Sequence, residues 1–234
     1  TYRPVDVLLR KSPLKALNAY VLTGQERFLV VDTGWDQETC LHSMLSGLKE
    51  IGVDLDKTDF FITHLHADHM GLVGRLIRKN TRIYLGKADV DSVLSMRKGM
   101  EERVQGLFRR YLSHGYPEPE LRKAVEGHPG FQYSSKVPFD LQALREGDPV
   151  EIGDYSFRCI ETPGHSPGHT CLYEPRKEIL ISGDHILADI TPNITSWPEM
   201  EDSLGNYLAS LDKVYPLDVR LVLPGHRNII NDHR

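Results

Sequence analysis

The feature that most constrains the fold is a cluster of histidines directly after a short apolar run. Residues 60–63 are Phe-Phe-Ile-Thr, a composition typical of a short buried strand. Residues 64–69 are His-Leu-His-Ala-Asp-His, so three imidazoles and one carboxylate fall within six positions. Imidazole and carboxylate ligands together suit zinc, iron or manganese. We therefore expect a strand that ends at a metal site.

Three more candidate ligands occur later in the chain, each beside small or rigid residues. His165 lies in a Thr-Pro-Gly-His-Ser-Pro-Gly-His segment, Asp184 follows an apolar run and Ser-Gly, and His226 follows an apolar run and Pro-Gly. Glycine and proline let the backbone turn sharply, which brings such side chains to a shared edge. The complete candidate set is His64, His66, Asp68, His69, His165, Asp184 and His226.

Strand and helix patterns alternate through the first ninety residues, which is typical of layered α/β proteins. The spacing of apolar residues predicts a helix over 36–51, with Asp36 as its N-cap and Gly52 as its C-cap. A second helix is predicted over 71–79. Later elements are predicted as strands over 149–152, 155–161, 170–173, 178–182 and 220–223, and as a helix over 203–214.

Residues 87–140 depart from this alternation and predict a helical insertion. Apolar side chains from Met96 to Tyr111 form a stripe with helical spacing, and basic residues surround it. A second short helix is predicted over 118–126. We expect the apolar stripe to be core rather than a ligand contact.

Size and charge favour one soluble domain over residues 1–234. The composition is 40% hydrophobic and 26% charged, which is ordinary for a globular protein. The chain has 28 basic and 33 acidic residues, so its net charge is −5. No bulk positive field is therefore available to hold nucleic acid. No apolar run approaches the roughly 18 residues of a membrane helix, and no signal peptide is visible, so no membrane partner is expected.

The three cysteines are Cys40, Cys159 and Cys171. Their number is odd, their spacing is wide and no C-x-x-C is present, so we expect no disulfide framework and predict a cytoplasmic location. Cys159 and Cys171 lie in strand-like runs and are predicted to be small buried hydrophobes.

The order of the candidate ligands resembles that of the metallo-β-lactamase superfamily. His64-x-His66-x-Asp68-His69 is followed by His165, Asp184 and His226 in the family's order, over nearly the whole chain. The resemblance implies a four-layer αββα sandwich with the metals at one edge between two sheets. The helical insertion is then expected over the site, as a lid or pocket wall.

Carried over residue by residue, the resemblance implies two metal ions. One ion is expected at His64, His66 and His165, and the other at Asp68, His69 and His226. Asp184 is expected to bridge them, which makes the site more similar to glyoxalase II and its relatives than to true β-lactamases. Zinc is the favoured metal, with iron or manganese as alternatives.

The same resemblance implies hydrolysis of a thioester, ester or lactone by a metal-bridging hydroxide. Asp68 is the expected catalytic residue, which orients the hydroxide and shuttles its proton. The substrate is expected to be a small acyl compound, and an anionic group on it would meet basic residues of the insertion. Related lactonases often carry Tyr three residues after the bridging Asp, whereas this chain has Leu187, which disfavours a lactonase.

Two other functions remain open on the sequence. A mononuclear iron dioxygenase that acts on a persulfide would share the first motif together with His165 and Asp184. A metal-stabilised binding module without catalysis is the third possibility.

Other polar residues are predicted to support the fold or the site. Asp32 is a candidate partner for a ligand histidine by analogy with the family, and His169 and His185 flank presumed ligands. The remaining histidines are predicted to lie at the surface, namely His42, His114, His128 and His233.

Overall fold

The computed structural model describes residues 1–10, 12–135 and 137–234 and contains two six-stranded sheets. The strands are β1 (Tyr2–Leu8), β2 (Ala16–Thr23), β3 (Phe28–Val31), β4 (Thr58–Ile62), β5 (Ile83–Gly86), β6 (Gln142–Leu144), β7 (Pro149–Ile152), β8 (Tyr155–Glu161), β9 (Thr170–Glu174), β10 (Ile179–Gly183), β11 (Leu221–Pro224) and β12 (Ile230–Asn231). The helices are α1 (Glu38–Ile51), α2 (Ala67–Met70), α3 (Val73–Leu76), α4 (Lys87–Ser113), α5 (Glu118–Gly127), α6 (Pro129–Gln132) and α7 (Ser203–Val214).

Each sheet mixes parallel and antiparallel neighbours. The first sheet has the order β1-β2-β3-β4-β5-β6; β1, β2 and β3 pair antiparallel, and β3 to β6 run parallel. The second has the order β12-β11-β10-β9-β8-β7, in which β10 and β11 are the parallel pair. The chain therefore completes the first sheet before it begins the second.

Three apolar clusters show how the layers stack. Cys40, Met44 and Leu48 of α1 pack on one face of the first sheet, together with Phe60 of β4. The neighbouring Phe61 points the other way, into a cluster between the two sheets, as expected from the alternation of side chains along a strand. A third cluster joins Val214 of α7 to the outer face of the second sheet. The order is helix, sheet, sheet, helix, and the predicted αββα fold is confirmed.

Most predicted elements are present, and the boundaries differ where local bonds intervene. Gly52 ends α1 with φ 83°, as predicted, but the helix starts at Glu38, after an extended Gln37, so Asp36 is not its N-cap. The predicted helix over 71–79 is wrong beyond Leu76, because Ile77 is extended and the Arg78 N–H donates to Thr81 Oγ1. The strands β1, β6 and β12 were not predicted from the sequence.

The predicted insertion contains α4, α5 and α6. The helix α4 is kinked at Gly99, whose φ of −144° and ψ of 41° are not helical. Met100, Leu107 and Tyr111 are 36–43% exposed, so the expectation that this stripe is core is wrong for its distal part. After the kink, Val104 and Phe108 are only partly buried, and polar contacts link the helix to residues 196 and 199. None of the helices among the described residues is long and apolar enough to cross a bilayer.

An ion-pair network around one buried carboxylate joins the starts of three strands in the first sheet. Asp59 of β4 accepts hydrogen bonds from the Arg27 and Arg82 guanidinium groups, each at 2.6 Å, and from the Arg82 N–H at 2.9 Å. Burial alone would raise the pKa of Asp59, but the two arginines lower it below its usual value. The carboxylate therefore stabilises the sheet in its ionised form.

We predict that Asp59→Asn lowers the free energy of unfolding by about 1–2 kcal/mol at neutral pH, since both arginines are partly exposed and screened by water. A lowered folded-state pKa contributes stability above the unfolded value of about 3.9 and loses it as the pH falls through the folded value. The difference between wild type and variant should therefore shrink below about pH 4. Urea unfolding across this range measures it, and a difference that stays constant down to about pH 3 would contradict the prediction.

Candidate metal centre

The seven candidate ligands come together at one edge of the sandwich. The histidine motif follows β4 immediately. His64 and His66 lie on the loop, and Asp68 and His69 lie in the four-residue helix α2. His165 follows β8, Asp184 follows β10, and His226 follows β11. Five of them therefore lie on loops that follow strands, and Asp68 and His69 lie in the short helix that continues the loop after β4.

Three histidines form the first set. His64 Nε2 lies 2.9 Å from His66 Nδ1 and 3.1 Å from His165 Nε2. Zinc bonds of about 2.0–2.1 Å in a tetrahedral site place ligand atoms about 3.3 Å apart. The spacing of this three-histidine set therefore fits one ion.

Asp68, His69 and His226 form the second set. Asp68 Oδ2 lies 3.4 Å from His226 Nε2 and 4.0 Å from His69 Nε2. Their candidate ligand atoms all lie within 4.8 Å of one another. The Asp68 side chain keeps 15% of its surface exposed, whereas both rings are fully buried.

Asp184 lies between the two sets and faces both. Its Oδ1 is 3.4 Å from His69 Nε2 and 3.7 Å from His226 Nε2, on the side of the second set. Its Oδ2 is 3.6 Å from His165 Nε2, on the side of the three-histidine set. One oxygen is therefore directed at each set.

Three polar atoms at the centre have no hydrogen-bond partner in the part of the chain that the structure describes. His69 Nε2, His226 Nε2 and Asp184 Oδ1 are buried and make no hydrogen bond within residues 1–10, 12–135 and 137–234. A buried polar group without a partner costs about 1–3 kcal/mol. Convergence of such atoms from three segments fits divalent cations, which these residue types bind well.

The protonation states of the two sets differ. Burial and the neighbouring imidazoles hold the pKa of His64 well below its ordinary value and lower that of His66 to about 3. Burial alone would raise the pKa of Asp184 and Asp68, but the neighbouring histidines lower it, to about 2 for Asp68. His69 and His226 face these carboxylates and have raised pKa values despite their burial. A cation would replace protons on these two rings, so its binding would release them.

In three histidines whose Nε2 faces the centre, the other ring nitrogen, Nδ1, is hydrogen-bonded to an oxygen atom. His69 Nδ1 lies 2.8 Å from Asp32 Oδ2, the partner expected from the sequence. His165 Nδ1 bonds to Asn193 O at 2.8 Å, and His226 Nδ1 bonds to Ala16 O at 2.7 Å. Such contacts fix the ring orientation and leave Nε2 free for a metal. Asn193 and Ala16 contribute backbone carbonyls, which leave no signal in the sequence.

Trp197 was also missed by the sequence reasoning. Its ring stacks on His66 with centroids 5.7 Å apart, and its Nε1–H donates to His165 O at 3.1 Å. The tryptophan therefore contacts both His66 and His165 and limits their movement. It lies in an irregular segment before α7, where no hydrophobic period indicates its contacts.

Gly225 permits the close approach of the loop that carries His226. A Cβ at this position would come within 2.6 Å of Asp184 Oδ1 and 2.8 Å of His69 Cε1. The Gly225 N–H donates to Gly183 O at 2.8 Å, which joins the ends of β10 and β11. The Pro-Gly-His pattern thus reflects a place where a larger residue would collide with the site.

The remaining histidines mostly lie where the sequence predicts. His169 is buried, and its Nε2 accepts the Asp184 N–H at 3.2 Å, so it supports the backbone of that residue. His185 is also buried. His233 was expected at the surface, but its side chain is only 2% exposed because it packs beside Tyr215. His42, His114 and His128 are exposed, as predicted.

All three cysteines are free and buried, including the predicted Cys159 and Cys171. Burial raises the pKa of both Cys159 and Cys171 to about 12. Neither thiol is therefore available as a thiolate nucleophile near neutral pH.

Comparison with known proteins assigns the chain to one family. The model of the Metallo-beta-lactamase superfamily matches residues 14–226. Human acyl-coenzyme A thioesterase MBLAC2 is 24% identical over 223 residues, which are 93% of this chain and 75% of that protein. The atrochrysone carboxyl ACP thioesterase of Aspergillus fumigatus is 25% identical over 225 residues, or 94% of this chain.

Coverage of the relatives is uneven, whereas the structural match is extensive. The chain spans 53% of the fungal thioesterase and 65% of a protein from Aquifex aeolicus that is 26% identical over 173 residues. The crystal structure of a metallo-beta-lactamase family protein from Thermus thermophilus matches with a TM-score of 0.87 and 28% identity, over 99% of this chain and 75% of that one. The family model covers most of the chain, and the chain belongs to the metallo-β-lactamase superfamily.

Proposed function

We propose that the chain is a metal-dependent hydrolase that cleaves a thioester or ester of a small acyl substrate at a pair of divalent ions, preferably zinc. The observation that carries the proposal is the pair of ligand sets with Asp184 between them. Relatives named as thioesterases support the choice of substrate class.

Water is the nucleophile in this proposal. At such a pair of ions its pKa falls from 15.7 to about 7, which makes hydroxide available near neutral pH. The buried thiols of Cys159 and Cys171 are too weakly acidic to compete. The residues of the site need only hold, orient and deprotonate water.

Asp68 is the residue placed to handle the proton. Its pKa of about 2 keeps it ionised, so it can accept a hydrogen bond from water, and a carboxyl this acidic would hold the proton only in passing. It is also the most exposed of the three acids at the centre, since Asp32 and Asp184 are more deeply buried. Asp68 can therefore pass the proton to solvent or to a leaving group.

The insertion offers few free cations for an anionic substrate. Arg103 pairs with Glu199, Arg110 donates to Ser196 Oγ, and Arg97 donates to Phe139 O. Lys98, Arg109 and Lys123 are exposed and form no ion pair among the described residues. These three side chains are the candidates for a carboxylate or phosphate on the substrate.

Two complete ligand sets favour the hydrolase over a mononuclear iron dioxygenase. A single iron needs only one set, which leaves no role for the convergence of Asp68, His69 and His226. The relatives named as thioesterases favour an enzyme over a binding module without catalysis.

We predict that the chelated protein is inactive and that zinc restores hydrolysis of acyl thioesters, because the nucleophile needs a metal. Elemental analysis of the restored protein should find two ions per chain. Thioester, ester and lactone substrates are compared in one panel. One iron per chain with oxygen uptake, or no hydrolysis by fully loaded protein, would exclude the proposed function.

We predict that Asp68→Asn lowers kcat by about 10²–10⁴-fold, since the amide cannot take up a proton. Steady-state rates of the zinc-loaded variant measure the effect, with metal content determined in the same samples. Asp212→Asn is the matched control, because Asp212 is an exposed acid of α7 outside the site. Equal rates for wild type and Asp68→Asn at equal metal content would remove Asp68 from the mechanism.

A further inference from the structure

Asp89 lies outside the seven candidate ligands, yet it joins the loops that carry three of them. It is the third residue of α4 and is fully buried. Its Oδ2 accepts hydrogen bonds from the Leu65 N–H at 2.8 Å and from the Ser166 hydroxyl at 2.7 Å. Its Oδ1 accepts the Gly168 N–H at 2.6 Å. One side chain thus binds both loops.

The positions of these three donors matter for the site. Leu65 lies between His64 and His66, and Ser166 directly follows His165. The hydrogen bonds from the Leu65 N–H and the Ser166 hydroxyl end on the same carboxylate oxygen, so this oxygen links the two loops. Through this oxygen, Asp89 reaches every loop that contributes to the three-histidine set.

The loops have little room to adjust. A Cβ on Gly168 would come within 2.2 Å of the Asp89 backbone nitrogen, and a Cβ on Gly86 would come within 2.0 Å of Gly168 O. The start of α4 therefore lies in direct contact with the loop that follows His165. A change in the Asp89 side chain cannot be compensated by closer packing of the backbones.

None of the hydrogen bonds of Asp89 reaches the second set. Its three partners belong to the loop of His64 and His66 and to the loop of His165. The second set has its own support, which comes from Asp32 at His69 and from Ala16 at His226. The two sets share one support, because Thr63 Oγ1 donates to Asp32 and lies 3.1 Å from His64 Nδ1 and 3.4 Å from His69 Nδ1, whereas the hydrogen bonds of Asp89 serve only the loops of the three-histidine set.

We propose that Asp89 is a positioning residue that fixes the loop of His64 and His66 against the loop of His165, and so sets the affinity of the three-histidine set for its metal ion. The inference rests on the proposed function only in taking this set as a metal site. The free-energy cost of burying the carboxylate is offset because it accepts three hydrogen bonds.

Asp89→Asn tests this role with little change in volume. An amide nitrogen would replace one oxygen, so either the Leu65 or the Gly168 N–H would lose its acceptor and face another donor. Ser166→Ala removes the third hydrogen bond and leaves both backbone bonds in place. Asp59→Asn is the matched control for a buried carboxylate, because its partners Arg27 and Arg82 lie away from both sets.

The measurement is zinc titration of each apoprotein against a competing chelator, which resolves two binding steps. His165→Ala and His226→Ala identify the step that belongs to each set. Asp89→Asn should weaken the step that His165→Ala removes by about 10–100-fold and leave the other step unchanged. Ser166→Ala should act in the same direction with a smaller effect, and Asp59→Asn should keep both affinities although it lowers stability.

The opposite results are equally clear. Unchanged affinities in Asp89→Asn and Ser166→Ala, or equal weakening of both steps, would overturn the positioning role. If Asp89→Asn does not fold, Ser166→Ala decides the question in the same titration. Wild type that binds two ions but hydrolyses no substrate would refute the proposed function and leave this inference intact, whereas wild type that binds no metal would refute both.

Discussion

The interaction on which the site depends is the approach of one buried carboxylate, Asp184, to histidines from three separate segments. Its oxygens lie 3.4–3.7 Å from His69, His226 and His165, at distances too long for good hydrogen bonds. Burial of a carboxylate costs several kcal/mol unless a cation or donors compensate it. The fold therefore brings negative charge and ring nitrogens together in a place that a divalent ion would stabilise.

The architecture explains why these side chains meet. Strands β10 and β11 are parallel neighbours, so Asp184 and His226 emerge side by side at their ends. The loop after β4 belongs to the other sheet, and the Thr170 N–H, which bonds to Thr63 O at 2.9 Å, connects the two sheets at this edge. The candidate ligands thus come from both sheets, and the core between the sheets fixes their separation. Because Gly225 has no side chain, the loop that carries His226 can then approach Asp184 and His69 closely.

The resemblance to the superfamily predicted the αββα fold, and the residue pattern singled out seven candidate ligands because their types are unusual at strand ends. Histidine and aspartate after apolar runs leave a strong signal, and the structure brings all seven together. Backbone acceptors such as Asn193 O leave no such signal, because every residue has a carbonyl. Asp89 was also missed, since an acid in the first turn of a helix is common for reasons of helix polarity alone. The exposed distal part of α4 shows that helical spacing predicts a helix better than it predicts what the helix packs against.

The most direct test of the central claim is to locate the ions in the folded protein. Crystals of zinc-loaded protein would be measured on both sides of the zinc absorption edge, and the anomalous difference map would be compared with the side chains. The proposal predicts two peaks, one at His64, His66 and His165 and the other at Asp68, His69 and His226, with the Asp184 carboxylate between them. A single peak in fully loaded crystals, or peaks away from Asp184, would contradict it.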